Sequence, residues 1–275
     1  MRYDQLMKYS HRWVFDLFAL ATLGIFGWTI HYTGRGAADP VWSDVQQRGV
    51  LRVGTDPGFR PFASEGQGRL RGYDIDLATE VAQRLQVKVE FIPIGYDALY
   101  DALSTRRVDL LAAALPIAPE QGWRARFSTA YLNAGQVLVV RRGAQIANEG
   151  ELAGREVGVA LGSPGDTLAR KLRRTIPALT VRSVYETPFD ALDALQNEQL
   201  DAVITDTVSA LAALHDQSEL TIARALTFEP YVLAVPANAY QLQHEVDRAL
   251  EQMRREGIFD RLNGYWFQPA ELHTP

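Results

Sequence analysis

Between residues 50 and 206 the chain passes twice, in the same order, through apolar runs of strand period and segments of helical period. Residues 50–55 (VLRVGT) predict a buried strand ended by Asp56-Pro57-Gly58. Over 74–86, Ala78, Val81, Ala82 and Leu85 fall at helical spacing, and 87–94 (VKVEFIPI) alternates as a strand. Asp97 stands where it would cap a helix carrying Leu99 and Leu103, and 108–115 (VDLLAAAL) reads as strand again. A second set follows: strand 156–161, helix 166–174, strand 179–184, helix 188–198 capped by Thr187, and strand 201–205. Strands alternating with helices predict parallel sheets, and two such sets in succession predict two α/β lobes rather than one long sheet.

Two further apolar stretches, 136–141 (QVLVVR) and 231–236 (YVLAVP), read as a pair of strands crossing between the lobes. After the second comes a helix with Leu242, Val246, Ala249, Leu250 and Met253 on one face and Gly257 as its stop. The expected division is therefore lobe one at 39–140 plus 236–275 and lobe two at 141–235. Hinges are expected near 139–141 and 232–235. A cleft between two such lobes, at the carboxyl ends of their strands, is where sheets of this kind bind ligands.

Ahead of the lobes, residues 17–30 (LFALATLGIFGWTI) carry no charge, and Arg2, Lys8 and Arg12 precede them against a single Asp4. The run is intermediate between a secretory core of about 7–15 residues and a membrane span of about 17–25. Extending it back to Val14 would bury Asp16. Gly36 and Ala38 suit cleavage before Asp39, whereas Trp13, Trp28 and Tyr32 suit the aromatic border of a retained anchor over 14–30. Either reading makes 1–38 an export segment, signal peptide or signal anchor, and places the lobes in the periplasm or otherwise outside the cytoplasm. The stretch 34–40 (GRGAADP) is its linker.

Composition removes several functions. There is no cysteine, hence no thiolate nucleophile, zinc knuckle, iron–sulfur cluster or lipidated tether. Thirty-three acidic against 28 basic residues, a formal net charge of −5, argue against a nucleic-acid footprint. The five histidines, His11, His31, His215, His244 and His273, are scattered in ways that build neither a Ser-His-Asp triad nor a metal site. Gly162-Ser163-Pro164-Gly165 lacks the Lys-Ser/Thr of a phosphate loop. Neither cofactor nor metal is expected.

A set of motifs then resembles a known family over 45–267. They are GVLRVGTD at 49–56, FRPF at 59–62, GYDIDL at 72–77, VDLLAAA at 108–114, FSTAY at 127–131 and EGIFDRLNGYWF at 256–267. Their order and spacing are similar to those of the bacterial extracytoplasmic solute-binding proteins, family 3, the polar amino-acid receptors of ABC importers. The resemblance implies the two-lobed, hinge-closing flytrap of the type II periplasmic-binding-protein fold. It also implies a role as a non-enzymatic, monomeric receptor for transport that presents its ligand to a membrane permease. In GYDIDL, Gly72 permits a turn, Tyr73 and Ile75 point to the core, and Asp74 and Asp76 favour the positive end of a helix; the motif reads as architectural.

The resemblance also implies a ligand site. Phe59 matches the aromatic that stacks on the ligand, and Tyr96 the one that packs its other face. Asp206 matches the acid that accepts the ligand's ammonium group. Asp56 matches a position that meets a basic side chain, although Asp-Pro-Gly is a turn sequence in its own right. The carboxylate grip of the family is missing: its hydroxyl positions are Ala113, Ala114, Pro116 and Ala118, and its arginine is Gln121. On lobe two the corresponding loop, Gly162-Ser163-Pro164, keeps one hydroxyl at Ser163. A charge-assisted hydrogen bond contributes about 1.5–3 kcal/mol, so the usual amino-acid pose is weakened by at least ten-fold. Three accounts stay open: Arg60, Arg124 or Arg126 replaces the cation; the ligand is an amine or aromatic without a carboxylate; or the lobes form a sensor or interaction module. A dehydratase using Asp56, Glu120 or Asp206 as acid or base is the enzymatic alternative.

Overall fold

The computed structural model describes residues 39–66, 68–216 and 219–268. The expected signal or anchor, residues 1–38 with its apolar stretch 14–30, lies outside the described residues. Among the described residues no helix is long and apolar enough to cross a membrane.

The first half opens with helix α1 (Pro40–Arg48) and strand β1 (Val50–Thr55), followed by a short hairpin of β2 (Ser64–Gly66) and β3 (Arg69–Arg71). Helix α2 (Tyr73–Arg84), β4 (Lys88–Pro93), α3 (Leu99–Ser104) and β5 (Leu110–Pro116) complete the first alternation. Strands β6 (Ala125–Phe127) and β7 (Leu132–Asn133) then lead out of this half. The second half comprises β8 (Gln136–Arg141), β9 (Glu156–Ala160), α4 (Pro164–Arg173), β10 (Thr180–Tyr185), α5 (Pro188–Gln196) and β11 (Ala202–Asp206). It ends with α6 (Thr207–Asp216) and β12 (Leu220–Ala225). The chain returns through β13 (Pro230–Pro236), α7 (Tyr240–Arg255) and α8 (Ile258–Trp266).

Two sheets of one plan result. The first runs β4-β1-β5-β13-β6 with β7 also on β13, and the second β10-β9-β11-β8-β12. In each, three strands are parallel, as the alternation predicts, and the rest are antiparallel additions. The apolar runs 136–141 and 231–236 do not pair with each other. Strand β8 inserts beside β11 in the second sheet, and β13 beside β5 in the first. The expected boundaries at 140/141 and 235/236 therefore assign these strands to the wrong lobes.

The crossing lies several residues earlier in each run, where polar groups tie the two passes together. Asn133 Oδ1 accepts from the backbone N–H of both Gly135 and Glu229, at 3.1 and 2.8 Å. Its Nδ2 donates to the Thr227 carbonyl at 3.0 Å, and Thr227 Oγ1 accepts from Gln136 N–H at 2.7 Å. A Cβ on Gly135 would sit 2.5 Å from Thr227 Oγ1, so only glycine admits this approach. The expected hinge residues 139–141 and 232–235 instead lie within the strands β8 and β13.

Burial on both faces explains why β5 reads as one continuous apolar run. Leu110, Ala112 and Ala114 face a core with Tyr73, Leu77, Val81 of α2 and Val246 and Leu250 of α7. Leu111, Ala113 and Leu115 face another with Leu99 and Leu103 of α3. The second sheet repeats this, with Val139 and Val203 against α5, and Leu138, Val140 and Ile204 against Ala169 of α4. Helix α5 carries the expected Thr187 cap as a reciprocal box with Asp190. Asp97 does not cap: it sits inside a 3₁₀ turn at Tyr96–Ala98, and α3 begins at Leu99 without a side-chain cap. Gly257, at φ +67°, ends α7 and starts α8.

Candidate functional site

The carboxyl ends of β1 and β5 converge beside the crossing segments on a cavity of about 720 Å³. Asp56, Gly58 and Phe59 enter it from the turn after β1, and Tyr96 from the 3₁₀ turn after β4. Ala113, Ala114, Pro116 and Ile117 form its floor at the end of β5. Its remaining wall is Phe228, Glu229, Pro230 and Tyr231, from the return crossing. A second cavity of about 380 Å³ adjoins it, sharing Phe59 and Tyr231 and reaching Arg60, Phe189, Asp206 and Ser209. The two together span both lobes.

The aromatic expectations meet here. Phe59 stacks on Phe62 at 5.4 Å between centroids, 13° from parallel, so one ring face is packed while the side chain stays 46% exposed. Tyr96 is 49% exposed. Rings held this way present apolar surface that a ligand would cover.

Each acid also has local work. Asp56 Oδ1 accepts from Gly58 N–H at 3.0 Å, so its turn role is real, and the residue lines the larger cavity as well. Asp206 Oδ1 accepts from Ser209 N–H at 2.8 Å, capping α6, while the residue lines the smaller cavity. Folding thus accounts for part of the placement of Asp206.

The remaining candidates divide. Ala114 and Pro116 line the larger cavity, while Ser163 and Gln121 line neither. Ser163 Oγ instead accepts from Asp166 N–H at 3.1 Å as the cap of α4. Gln121 lies in a 3₁₀ turn with Oε1 buried and without a hydrogen-bond partner. Of the arginines that would replace the missing cation, Arg124 pairs with Asp101 at 2.6 Å and lies over the Trp123 ring. Arg126 bonds Gln243 at 2.6 Å and lies over Tyr240. Neither lines a cavity of the site; Arg60 does, in the smaller cavity that Asp206 also lines.

Beneath the floor lies a buried carboxylate. Asp74, fully buried at the start of α2, accepts from Tyr131 Oη at 2.8 Å and from Ala114 N–H at 2.6 Å. Burial pushes its carboxyl up to about 7, against the lowering effect of those two donors. Ala114 has φ +46°, a left-handed backbone for a residue with a Cβ, and this bond helps hold it there. The GYDIDL motif is therefore architectural yet touches the floor of the site. Asp76 accepts from Trp266 Nε1 at 2.7 Å, tying the motif to the closing YWF.

Phe228, Glu229 and Tyr231 were not anticipated. The cluster FEPY at 228–231 places aromatic and acidic residues directly at the mouth of an apolar strand, which is the signal that could have found them.

A two-lobed α/β fold with a cleft at the carboxyl ends of its strands defines a periplasmic-binding-protein architecture. Residues 51–269 match the model of bacterial extracellular solute-binding proteins, family 3, and the chain belongs to that family. It is 27% identical over 237 residues to the L-cystine-binding protein TcyJ of Escherichia coli K12, covering 84% of this chain and 87% of that protein. Among solved structures, an ancestral cationic amino acid solute-binding protein is 30% identical, with a TM-score of 0.57 over 82% of this chain and 99% of its own. An ancestral cyclohexadienyl dehydratase is 26% identical, with a TM-score of 0.71 over 86% and 99% respectively.

Proposed function

We propose that this chain captures an amino acid or a related small amine or aromatic compound outside the cytoplasm and delivers it, as a monomer without cofactor or metal, to an ABC permease. The observation that carries the reading is the cavity of about 720 Å³ walled by Phe59 and Tyr96 with Asp56 at its rim. In that reading Phe59 and Tyr96 cover the apolar part of the ligand, and Asp206 receives its ammonium group. Ala114 and Pro116 shape the floor. Ser163 and Gln121 act only if closure brings them to the ligand. Residues 1–38 deliver the chain across the membrane or hold it there.

The test is a thermal-shift screen of the full-length chain against amino acids, amines and aromatic acids. A ligand at 100 times its dissociation constant adds about 2.7 kcal/mol to folding stability. Asp206→Ala is expected to abolish that shift and Phe59→Ala to reduce it. If no compound of these classes raises the melting temperature, the reading fails.

A second reading, a dehydratase, is favoured by the similarity to the ancestral dehydratase. Asp56 and Asp206 are the acids it would use, since Glu120 lines neither cavity. It requires that purified protein consume its ligand and that Asp56→Asn or Asp206→Asn stop the consumption.

A further inference from the structure

We infer that the cleft selects a small organic cation that carries no carboxylate, with Glu229 as a second counter-charge besides Asp206, an inference that rests on the solute-binding reading above. The charges of the site are lopsided. Asp56 and Glu229 line the larger cavity, and none of its lining residues is basic. Across both cavities there are three carboxylates against one guanidinium, that of Arg60. The three acids accept hydrogen bonds from neutral groups: Gly58 N–H for Asp56, Ser209 N–H and the Thr205 hydroxyl for Asp206, and the Thr227 hydroxyl, 3.1 Å from Oε1, for Glu229. The field they make is felt locally. Burial raises the Tyr231 hydroxyl first, and the charges of Glu229 and Asp206 raise it further.

Several donors that an anionic group would need are used up or absent, which leaves the hydroxyls of Tyr96 and Tyr231 as the side-chain donors of the larger cavity. The Ala114 N–H is committed to Asp74, and the Gly58 N–H to Asp56. Pro116 has no N–H to offer. The floor positions that would bring hydroxyls are alanines and proline. A carboxylate moved from water onto this floor would lose its hydration without gaining partners.

What the floor and walls do supply is ring surface. Phe59, Tyr96, Phe228 and Tyr231 surround the cavity, and Phe228 is 72% exposed. Aromatic faces with a nearby carboxylate attract alkylammonium and guanidinium groups. The Glu229 backbone is held on the crossing by its N–H to Asn133 Oδ1, and its carboxylate accepts from the Thr227 hydroxyl of the same crossing.

The experiment compares matched pairs by titration calorimetry on the full-length chain: arginine with agmatine, lysine with cadaverine, and phenylalanine with phenethylamine. At least one amine is expected to bind about ten-fold or more tightly than its parent amino acid, and Glu229→Gln to weaken that amine by about ten-fold. If parent amino acids bind as tightly as their amines or more so, this inference falls while the solute-binding reading stands. If no member of any pair binds, this inference falls, and the solute-binding reading is decided by the wider thermal-shift screen. An amine that binds with undiminished affinity to a folded Glu229→Gln protein removes Glu229 from the assignment. The wild-type comparison needs no variant, so misfolding of Glu229→Gln cannot rescue the claim.

Discussion

Replacing Asp74 with asparagine keeps the shape of a fully buried side chain while removing its ionisation. The folded carboxyl titrates at about 7 against an ordinary value of 3.8, with burial as the cause. An acid held protonated by the folded state contributes full stability below its unfolded value and loses it as pH rises to the folded value; above that the loss is complete and level. At about 1.4 kcal/mol per unit, the wild type should lose about 3 kcal/mol through this group between pH 4.5 and 7.5. In the amide variant the side-chain oxygen can accept from Ala114 N–H as the carboxyl does, and the amide NH₂ can donate to Tyr131 Oη once that hydroxyl turns from donor to acceptor. The groups packed around the carboxyl, Tyr73 and Tyr131, are themselves raised and stay neutral over this range. Every other titrating group is common to the two proteins and cancels in their difference. Urea unfolding of both at pH 4.5 and 7.5 should therefore show the variant gaining on the wild type by about 3 kcal/mol at the higher pH. A difference that is the same at both pH values would refute the account of Asp74 as a carboxyl kept neutral by burial.

Two further outcomes follow from the same frame. Gly72 has φ +147°, and a Cβ there would lie 2.1 Å from the Phe62 carbonyl oxygen, so Gly72→Ala should prevent soluble expression or lower stability by more than about 3 kcal/mol in urea unfolding. Asp109 is fully buried and accepts from Arg52 Nη2 at 2.8 Å, Arg52 N–H at 3.0 Å and Arg48 Nη2; Asp109→Ala should cost about 3–5 kcal/mol by the same assay, and a loss below about 1 kcal/mol would show that the arginines escape to water unharmed.

The parts of the fold legible in the sequence are those with one strong cause. Strands β1, β5, β9 and β11 are apolar because both their faces are covered, and α7 shows its stripe because one face is. The crossing was misplaced because apolarity marks where a strand is buried, not where the chain changes sheet. That change happens at Asn133, Gly135 and Thr227, whose side-chain and backbone hydrogen bonds leave no period in the sequence. Asp97 failed as a cap for a related reason: its helix has only six residues, and packing of Leu99 and Leu103 rather than capping decides where it starts.

The site follows the same logic, and the absence of a basic residue from the larger cavity is its clearest consequence. The motifs put Asp56, Phe59 and Tyr96 just after strands, and all three line the larger cavity. They could not find Glu229, which reaches the cavity only because β13 joins the first sheet and not the second. Nor could they show that Ala114, by losing a side-chain hydroxyl, also has its backbone donor engaged from below by Asp74. A substitution that removes one polar contact normally leaves a neighbouring N–H to compensate. Here the architecture beneath the floor has taken that N–H, so the want of donors extends from side chains to backbone, and on the proposed reading this leaves the negative charge on the opposite wall to choose the ligand.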